Sequence, residues 1–220
     1  MAILITGANR GVGLALAERA AAHKNTVIGT FRGKTAPTLS GIQWEQLNVE
    51  APESHQELAK RLTGVQIDLL VCNAGVYLDR GAALSGGYAK PLWDETFAVN
   101  VTGVFLTIQA LLPNVQAAQG KIAIISSQMA SDTTAPGGSY IYRASKAAAL
   151  NLGRNLATDL KRQAIPVGIY HPGWVQTDMG GSGADITVEQ SAIGLLERFD
   201  ALNMATTGCF ETWDGRNHPY

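Results

Sequence analysis

Cysteine and charge are both scarce in this sequence of 220 residues. The two cysteines, Cys72 and Cys209, are too few for a disulfide framework, and each follows an apolar segment, which indicates thiols in a reducing compartment. Charged residues make up 16% of the chain, and 17 basic residues nearly balance 18 acidic ones. Because no basic tract is present, we do not expect nucleic acid as the main partner.

Long apolar runs are also missing. None reaches the roughly 18 residues that a membrane span requires, and the stretch from Met1 to Gly7 lacks the basic region of a secretory leader. We therefore expect a cytoplasmic protein that does not insert into a membrane, and we assign no metal ligands. Hydrophobic residues at 46% suffice for a sizeable core, and no repeat or linker divides the chain. We expect residues 1–220 to form a single domain.

Short apolar segments alternate with helix-forming segments along the whole chain. Strands are predicted at Ala2 to Ile5, Thr26 to Thr30, Ile42 to Leu47, Ile67 to Cys72, Lys121 to Ile125, Pro166 to Tyr170 and Gly208 to Trp213. Helices are predicted at Leu14 to Lys24, Pro52 to Leu62, Pro91 to Leu112 and Tyr140 to Lys161, and from a capping box at Thr187 to Leu202. This alternation predicts an α/β fold, with a doubly wound parallel sheet of about seven strands and helices on both faces.

A glycine-rich stretch, Thr6-Gly7-Ala8-Asn9-Arg10-Gly11-Val12-Gly13, joins the first strand to the first helix. Glycines at this position permit a tight turn and let the backbone approach a pyrophosphate at the helix N-terminus. A purely structural turn is the alternative, since the spacing differs from the commonest dinucleotide fingerprint. Its place directly after the first strand favours dinucleotide binding.

Two arginines indicate whether the dinucleotide is NADP(H) or NAD(H). An acid after the second strand usually holds a ribose 2′-hydroxyl, whereas an arginine accommodates a 2′-phosphate. Here Arg32 follows the second strand, Arg10 lies within the glycine turn, and no acid is present at either place. We therefore expect NADP(H) to be preferred, with NAD(H) still able to bind. The alternative is that both arginines are solvated surface residues.

Polar or small residues follow three further strands. Asn73-Ala74-Gly75 follows the fourth, where small residues let a cofactor approach, although an ordinary turn would use the same residues. Ser126-Ser127 ends the fifth, where a hydroxyl could bond a carbonyl oxygen. The segment from His171 to Gly181 follows the sixth, at the carboxyl edge where ligands bind in such sheets. For His171, immediately before a proline, a structural role is favoured over that of a catalytic base.

Tyr142 and Lys146 are four residues apart in a predicted helix and so lie on one face of it. A neighbouring ammonium would lower the pKa of the phenol and let it exchange a proton with a carbonyl oxygen near neutral pH. Taken alone the spacing is common, and packing of the tyrosine with a solvated lysine is the alternative. The surrounding motifs favour the catalytic interpretation.

In this order and at these strand ends, the motifs make the chain resemble a short-chain dehydrogenase/reductase over essentially its whole length. Within that family it is similar to the C-factor-like and sniffer-like carbonyl reductases, through the segments Gly137 to Lys146 and His171 to Gly181. The usual Asn before Asn73 is Cys72, and the acid common after the third strand is Asn48. Because Ser127 lies 15 residues before Tyr142, somewhat farther than is usual in the wider family, Ser126 and Ser131 stay as alternatives to it.

The resemblance implies a Rossmann fold, hydride transfer from a nicotinamide, and a homodimer or homotetramer. It implies a catalytic set of Asn100, Ser127, Tyr142 and Lys146, in which Tyr142 protonates the carbonyl oxygen and Ser127 bonds to it. Lys146 would lower the pKa of Tyr142 and hold the nicotinamide ribose, and Asn100 would anchor a water. The implied cofactor-binding residues are Gly7, Asn9, Arg10, Gly11, Val12, Gly13, Arg32, Asn48, Val49, Asn73, Ala74, Gly75, Tyr142, Lys146, Pro172, Gly173, Val175 and Thr177.

The sequence thus predicts an NADP(H)-dependent reductase of a small carbonyl substrate, an aldehyde, ketone or quinone. The alternative is a C-factor-like signalling protein that binds the dinucleotide and acts through a partner with little turnover. Aromatic and methionine side chains that could line a substrate pocket are Tyr77, Trp93, Tyr140, Trp174 and Met179.

Overall fold

The computed structural model describes residues 1–220 and consists of alternating strands and helices. The strands are β1 (Ala2–Ile5), β2 (Thr26–Phe31), β3 (Ile42–Gln46), β4 (Leu69–Cys72), β5 (Lys121–Ile125), β6 (Val167–His171) and β7 (Phe210–Thr212). The helices are α1 (Gly11–Ala22), α2 (Pro52–Arg61), α3 (Lys90–Phe97), α4 (Gly103–Ala118), α5 (Tyr140–Asp159) and α6 (Val188–Ala201). A π-helical turn, Ala98–Thr102, joins α3 to α4, and short 3-10 helices occupy Gln128–Ala130 and Leu160–Gln163.

All seven strands form one parallel sheet in the order β3-β2-β1-β4-β5-β6-β7. The chain winds outward from β1 to β3 and then returns to place β4 on the other side of β1. This confirms the predicted doubly wound sheet. The strand order reverses between β1 and β4, where Ile5 lies opposite Val71, and ligands bind beyond the carboxyl ends of the strands at such a point.

Two apolar cores cover the two faces of the sheet, because successive strand residues point to opposite sides. Ile3 and Ile5 of β1 pack with α1 and α6 on one face. Leu4, between them, packs on the other face with α2, α4 and α5. The strands are therefore apolar throughout, as expected of a parallel sheet covered on both sides.

The continuous helical run from Lys90 to Ala118 is long and apolar enough, with a mean hydropathy of 1.5 over 18 residues, to meet the simple criteria for a membrane span. In the structure, Ile108 and Leu111 of this run are buried against the sheet, so its apolar side forms part of the core. The prediction that this helix ends at Leu112 was wrong. Pro113 lies within it on the exposed side, and the helix continues to Ala118.

Smaller differences concern the ends of elements. Helix α1 begins at Gly11 rather than Leu14, so two of the turn glycines belong to its first turn. Strand β4 begins at Leu69 rather than Ile67, and β2 extends one residue farther, to Phe31. The predicted capping box at α6 is confirmed, since Thr187 and Gln190 each accept the other's backbone N–H.

Candidate active site

The turn between β1 and α1 has a backbone conformation that requires glycine at two positions. Gly7 and Gly11 have φ angles of 63° and 55°, in the left-handed region that favours glycine. A Cβ on Gly13 would lie 2.4 Å from the carbonyl oxygen of Gly7 and 2.4 Å from Nδ2 of Asn73. Gly13 thus lets α1 pack closely on the strand ends, while the other two glycines shape the turn.

The N-terminus of α1 is chemically suited to an anion. Arg10 stands at the N-cap position and makes no side-chain cap, and no acidic residue lies in the first turn. The first N–H groups of an uncapped helix lack intrahelical partners and carry the positive end of the helix dipole. This arrangement fits the pyrophosphate of a dinucleotide.

The two arginines predicted to hold a 2′-phosphate are exposed, and each has an acidic neighbour. Arg10 lies 3.2 Å from Asp178 and Arg32 lies 3.3 Å from Glu50, with 69% and 64% of the arginine side chains accessible. Exposed pairs of this kind contribute little, so both guanidinium groups could be drawn to a phosphate. Asn9, in the same turn, is also exposed.

Asn48 and Val49 shape the loop that carries Glu50. The Asn48 side chain accepts the N–H of Glu50, and the Val49 carbonyl accepts a hydrogen bond from the buried ring of His55. Val49 itself packs in the core. These hydrogen bonds and the packing of Val49 hold the loop after β3 in place.

Thr6 and Asn73 join the ends of β1 and β4. The Thr6 hydroxyl accepts the N–H groups of Asn73 and Ala74, each at 3.0 Å. The Asn73 amide donates to the carbonyls of Thr6 and Gly7. This network keeps the segment after β4 against the glycine turn, and a Cβ on Gly7 would meet Ala74 at 3.0 Å. Burial raises the pKa of the neighbouring Cys72 thiol to about 12, so that thiol stays protonated.

Asn100 lies within the π-helical turn and is fully buried. Its side chain bonds to both backbone groups of Val76, at 2.8 and 2.9 Å, and donates to the Ser145 hydroxyl at 3.0 Å. The side chain therefore links the segment after β4 to helix α5. A Cβ on Gly75 would lie 3.3 Å from Oδ1 of Asn100 and 3.4 Å from Nζ of Lys146, so Gly75 lies directly beside both groups.

Lys146 is buried, and its ammonium donates to the carbonyl oxygen of Ile125 at 3.0 Å. Burial lowers the pKa of Lys146 to about 8. Its Nζ lies 5.7 Å from the centre of the Tyr142 ring.

Burial raises the pKa of Tyr142 to about 12. The Ser127 hydroxyl, hydrogen-bonding with the phenol, lowers this pKa, whereas Tyr77 and the charge of Asp79 raise it further. The sequence-based expectation that Lys146 lowers the pKa of Tyr142 does not describe this structure, because burial outweighs other influences. Tyr142 is therefore a protonated acid at neutral pH.

The three candidate serines have different partners. The Ser126 hydroxyl donates to the carbonyl oxygen of Lys146, and that of Ser131 donates to the carbonyl oxygen of Tyr220. The Ser127 hydroxyl accepts the N–H of Met129 and keeps its proton available. Ser127 is accordingly the serine placed to donate to a ligand.

Tyr142 and Ser127 line a cavity of about 360 Å³. Val12 of the glycine turn lines it as well, together with Pro172, Gly173, Val175 and Thr177 of the loop after β6. Of the suggested apolar lining residues, Tyr77, Trp174 and Met179 are present, whereas Trp93 stacks on Phe97 and Tyr140 packs edge-on against Tyr88. No aspartate or glutamate lines the cavity, and Arg80 does.

The loop after β6 is tied down by its own hydrogen bonds. The Thr177 hydroxyl accepts the N–H of Gly180 at 3.0 Å, and Trp174 donates to the Gly180 carbonyl. Gly173 has a φ of 92°. His171, at the end of β6, also lines the cavity; burial and the nearby His218 lower its pKa to about 4, so its ring is neutral.

Three residues between β4 and α3 contact the site in ways that sequence motifs did not indicate. The Tyr77 ring stacks on that of Tyr142, with centroids 4.2 Å apart. The buried Asp79 carboxylate accepts backbone N–H groups at the start of α5. Arg80 donates to the carbonyls of Met179 and Gly180. A polar loop gives no periodicity from which such contacts could be inferred.

A family model described as short chain dehydrogenase matches residues 1–185. The C-signal protein of Myxococcus xanthus is 36% identical over 156 residues, covering 70% of this chain and 93% of that protein. The 1-hydroxy-2-glutathionyl-2-methyl-3-butene dehydrogenase of Rhodococcus sp. is 33% identical over 225 residues, covering 97% of this chain and 96% of that protein.

Solved structures agree with this relationship. An NADPH-bound carbonyl reductase from chicken fatty liver is 29% identical with a TM-score of 0.88, covering 100% of this chain and 98% of its own. The carbonyl reductase Sniffer of D. melanogaster is 26% identical with a TM-score of 0.91, covering 100% of this chain and 99% of its own. As its motifs indicated, this chain belongs to the short-chain dehydrogenase family of oxidoreductases, and carbonyl reductases are among its structural neighbours.

Proposed function

We propose that this protein is an NADP(H)-dependent carbonyl reductase that converts an aldehyde, ketone or quinone to the alcohol. The observation that carries the proposal is the meeting of two hydroxyl groups, those of Tyr142 and Ser127, in one cavity beside the glycine turn. Two hydroxyl donors at one place suit a carbonyl oxygen that gains negative charge during reduction. When bound, the nicotinamide supplies the hydride.

The chain's own residues supply the proton and hold the site together. Tyr142, protonated because its pKa is about 12, gives its proton to the carbonyl oxygen. Ser127 donates a hydrogen bond to the same oxygen. Lys146 donates to the Ile125 carbonyl with its Nζ 5.7 Å from the centre of the Tyr142 ring, where it can hold the nicotinamide ribose beside the phenol. Asn100 fixes the segment after β4 against α5 through Val76 and Ser145, and a water between Asn100 and Lys146 would return the proton from solvent.

The cofactor-binding residues are assigned by position. The N–H groups at the start of α1 bind the pyrophosphate, and Gly7, Gly11 and Gly13 allow its approach. Arg10 and Arg32 bind the 2′-phosphate in place of Asp178 and Glu50. Lys146 binds the nicotinamide ribose, and Thr177 with the Val175 backbone binds the carboxamide. The other residues that we propose contact the cofactor are Asn9, Val12, Asn48, Val49, Asn73, Ala74, Tyr142, Pro172 and Gly173.

Arg80 narrows the substrate class. It is exposed at the cavity, no carboxylate pairs with it, and the cavity lining contains no acid. Its two backbone hydrogen bonds leave its charge uncompensated. We therefore propose that carbonyl compounds with a negatively charged group are reduced more efficiently than neutral ones of the same size.

A second candidate function rests on the similarity to the C-signal protein. In that case the protein would bind the dinucleotide and signal through a partner with little turnover. Purified protein supplied with NADPH and a panel of aldehydes, ketones and quinones separates the two, because only the reductase consumes NADPH in step with the carbonyl. NADPH binding without turnover on any of them would favour the signalling function. We also propose a homodimer or homotetramer, which light scattering would test.

A further inference from the structure

Helix α5, which carries Tyr142 and Lys146, has no N-terminal cap of its own. Ser139 at the N-cap position has a left-handed φ of 49° and makes no side-chain cap, and the first turn contains no acid. The first N–H groups of such a helix need partners from elsewhere in the protein. Two of them belong to Ile141 and Tyr142, both of which are buried.

Asp79 supplies these partners from 62 residues earlier in the chain. Its carboxylate is 1% exposed and accepts the N–H of Ile141 at 2.8 Å. Its two oxygens lie 3.3 and 3.4 Å from the N–H of Tyr142. No lysine or arginine pairs with this carboxylate. A buried charge without a cation is costly unless it is hydrogen-bonded, and here the helix N-terminus stabilises it.

The same segment also contacts the side chain of Tyr142. The Tyr77 ring stacks on the Tyr142 ring, and the Tyr77 hydroxyl is hydrogen-bonded to that of Ser139. We propose that Asp79 is a positioning residue for the reaction: its carboxylate fixes the first turn of α5 and so places the hydroxyl of Tyr142 in the cavity. This inference rests on the proposed reductase function.

A negative charge beside the first turn also affects proton transfer. It disfavours the phenolate, and it accordingly raises the pKa of Tyr142 along with burial. Lys146 faces Tyr142 from α5, and Tyr77, Asp79 and Arg80 lie on the segment after β4. His171, which is neutral, reaches the same cavity from β6. Asp79 is thus the one anion in this set.

The test compares Asp79→Asn, which keeps an acceptor oxygen but loses the charge, with Asp79→Ala, which loses both. Asp159→Asn, an exposed acid at the other end of the same helix, is the control. For Asp79→Asn we expect the fall of kcat at high pH to begin at a lower pH, because losing the charge lowers the pKa of Tyr142. For Asp79→Ala we expect kcat to fall by roughly 10- to 100-fold, the equivalent of one charged hydrogen bond. The dissociation constant for NADPH should stay within about twofold in both, since neither contact involves the glycine turn.

Hydrogen exchange gives a second readout that needs no turnover. In Asp79→Ala, the amides of residues 140–143 should exchange at least about tenfold faster, because lost local bonds lower the cost of opening. The control should leave them unchanged. Wild-type kcat and pH profile in both Asp79 variants, or unchanged exchange in Asp79→Ala, would overturn the inference. If the wild type has no reductase activity while exchange still responds to Asp79→Ala, the proposed function fails and the capping role of Asp79 remains.

Discussion

The rings of Tyr77 and Tyr142 are stacked, with their centroids 4.2 Å apart and 22° between their planes. An aromatic pair of this kind contributes roughly 0.5 to 1.5 kcal/mol beyond the area it buries. The stack restrains the Tyr142 side chain from one side, while the first turn of α5 fixes its backbone. The fold thus controls where the phenol lies.

Tyr142→Phe should abolish carbonyl reduction and leave NADPH binding largely intact, because phenylalanine keeps the ring and removes only the acid. Steady-state turnover and NADPH titration would measure the two effects. The matched control is Tyr140→Phe, which removes a partly exposed hydroxyl two residues away on the same helix and should retain full activity. Normal turnover of Tyr142→Phe would remove this residue from the mechanism.

Ser127→Ala should lower kcat by roughly 10²- to 10³-fold, the usual effect of losing one donor to a developing oxyanion. Ser126→Ala should instead lower thermal stability, because its buried hydroxyl bonds to the Lys146 carbonyl. Kinetics and thermal melts on both variants check this distinction. A larger loss of kcat in the Ser126 variant would show that the assignment of the two serines is reversed.

Lys146→Met should abolish turnover yet raise the free energy of unfolding at pH 7. Burial lowers the pKa of Lys146 from 10.5 to about 8, so the folded protein binds fewer protons than the unfolded chain between these values. The wild type therefore gains stability relative to the variant as pH rises from about 8 towards 10.5. The full difference is at most about 3.5 kcal/mol, at about 1.4 kcal/mol for each pKa unit. Denaturant titrations at pH 7 and pH 10 would measure it, and a difference independent of pH would contradict it.

Arg32→Ala should weaken NADPH binding by about tenfold or more and barely alter NADH binding, because a hydrogen bond to a charged group contributes roughly 1.5 to 3 kcal/mol. Arg10→Ala should act in the same direction. Glu50→Gln and Asp178→Asn, which release the two arginines, should tighten NADPH binding. Dissociation constants for NADPH and NADH, measured for the wild type and each variant, would test these expectations. A wild type that prefers NADH, or arginine variants that lose both cofactors equally, would rule out a phosphate clamp.

Arg80→Met should raise KM by roughly 10- to 100-fold for a carbonyl substrate that carries a carboxylate, because the variant loses one hydrogen bond between charged groups. A neutral substrate of the same size reports any change in the loop that Arg80 holds through Met179 and Gly180. Arg80→Lys, which keeps the charge, should recover most of the preference. Equal losses on both substrates would limit Arg80 to supporting the loop.

Much of the fold follows from local patterns. The seven apolar segments and the glycine turn predicted a doubly wound sheet, and the strand order confirms it. The motifs also placed Ser127 and Tyr142 at strand and helix ends that the sheet brings to one cavity. The fold prediction is confirmed, and the two residues meet, because the carboxyl ends of parallel strands lie at one edge, so that order along the chain determines proximity.

The electrostatics could not be predicted in the same way. The pKa of Tyr142 depends on burial and on Asp79, which lies 63 residues before it. Arg10 pairs with Asp178 at a separation of 168 residues. Each is a contact between loops, and loops carry no periodicity that would align their side chains. Helix α4 continues through Pro113, although a proline usually ends a helix. Here the packing of the residues on either side outweighs that local preference.

The π-helical turn at Ala98–Thr102 sets the rotational phase between the two halves of a long helix. Core residues of α4 recur at Val104, Ile108 and Leu111, and in an uninterrupted α-helix this stripe would continue backwards through Asn100. A π turn accommodates one extra residue, so Val99 takes the core position below Val104 and the amide is rotated out of the apolar stripe, towards Val76 and Ser145. If these residues formed an α-helix with none removed, the amide would return to the position under Val104, whereas deleting the extra residue would keep Val99 there. The π-helical geometry of this turn therefore determines whether Asn100 faces hydrocarbon or helix α5.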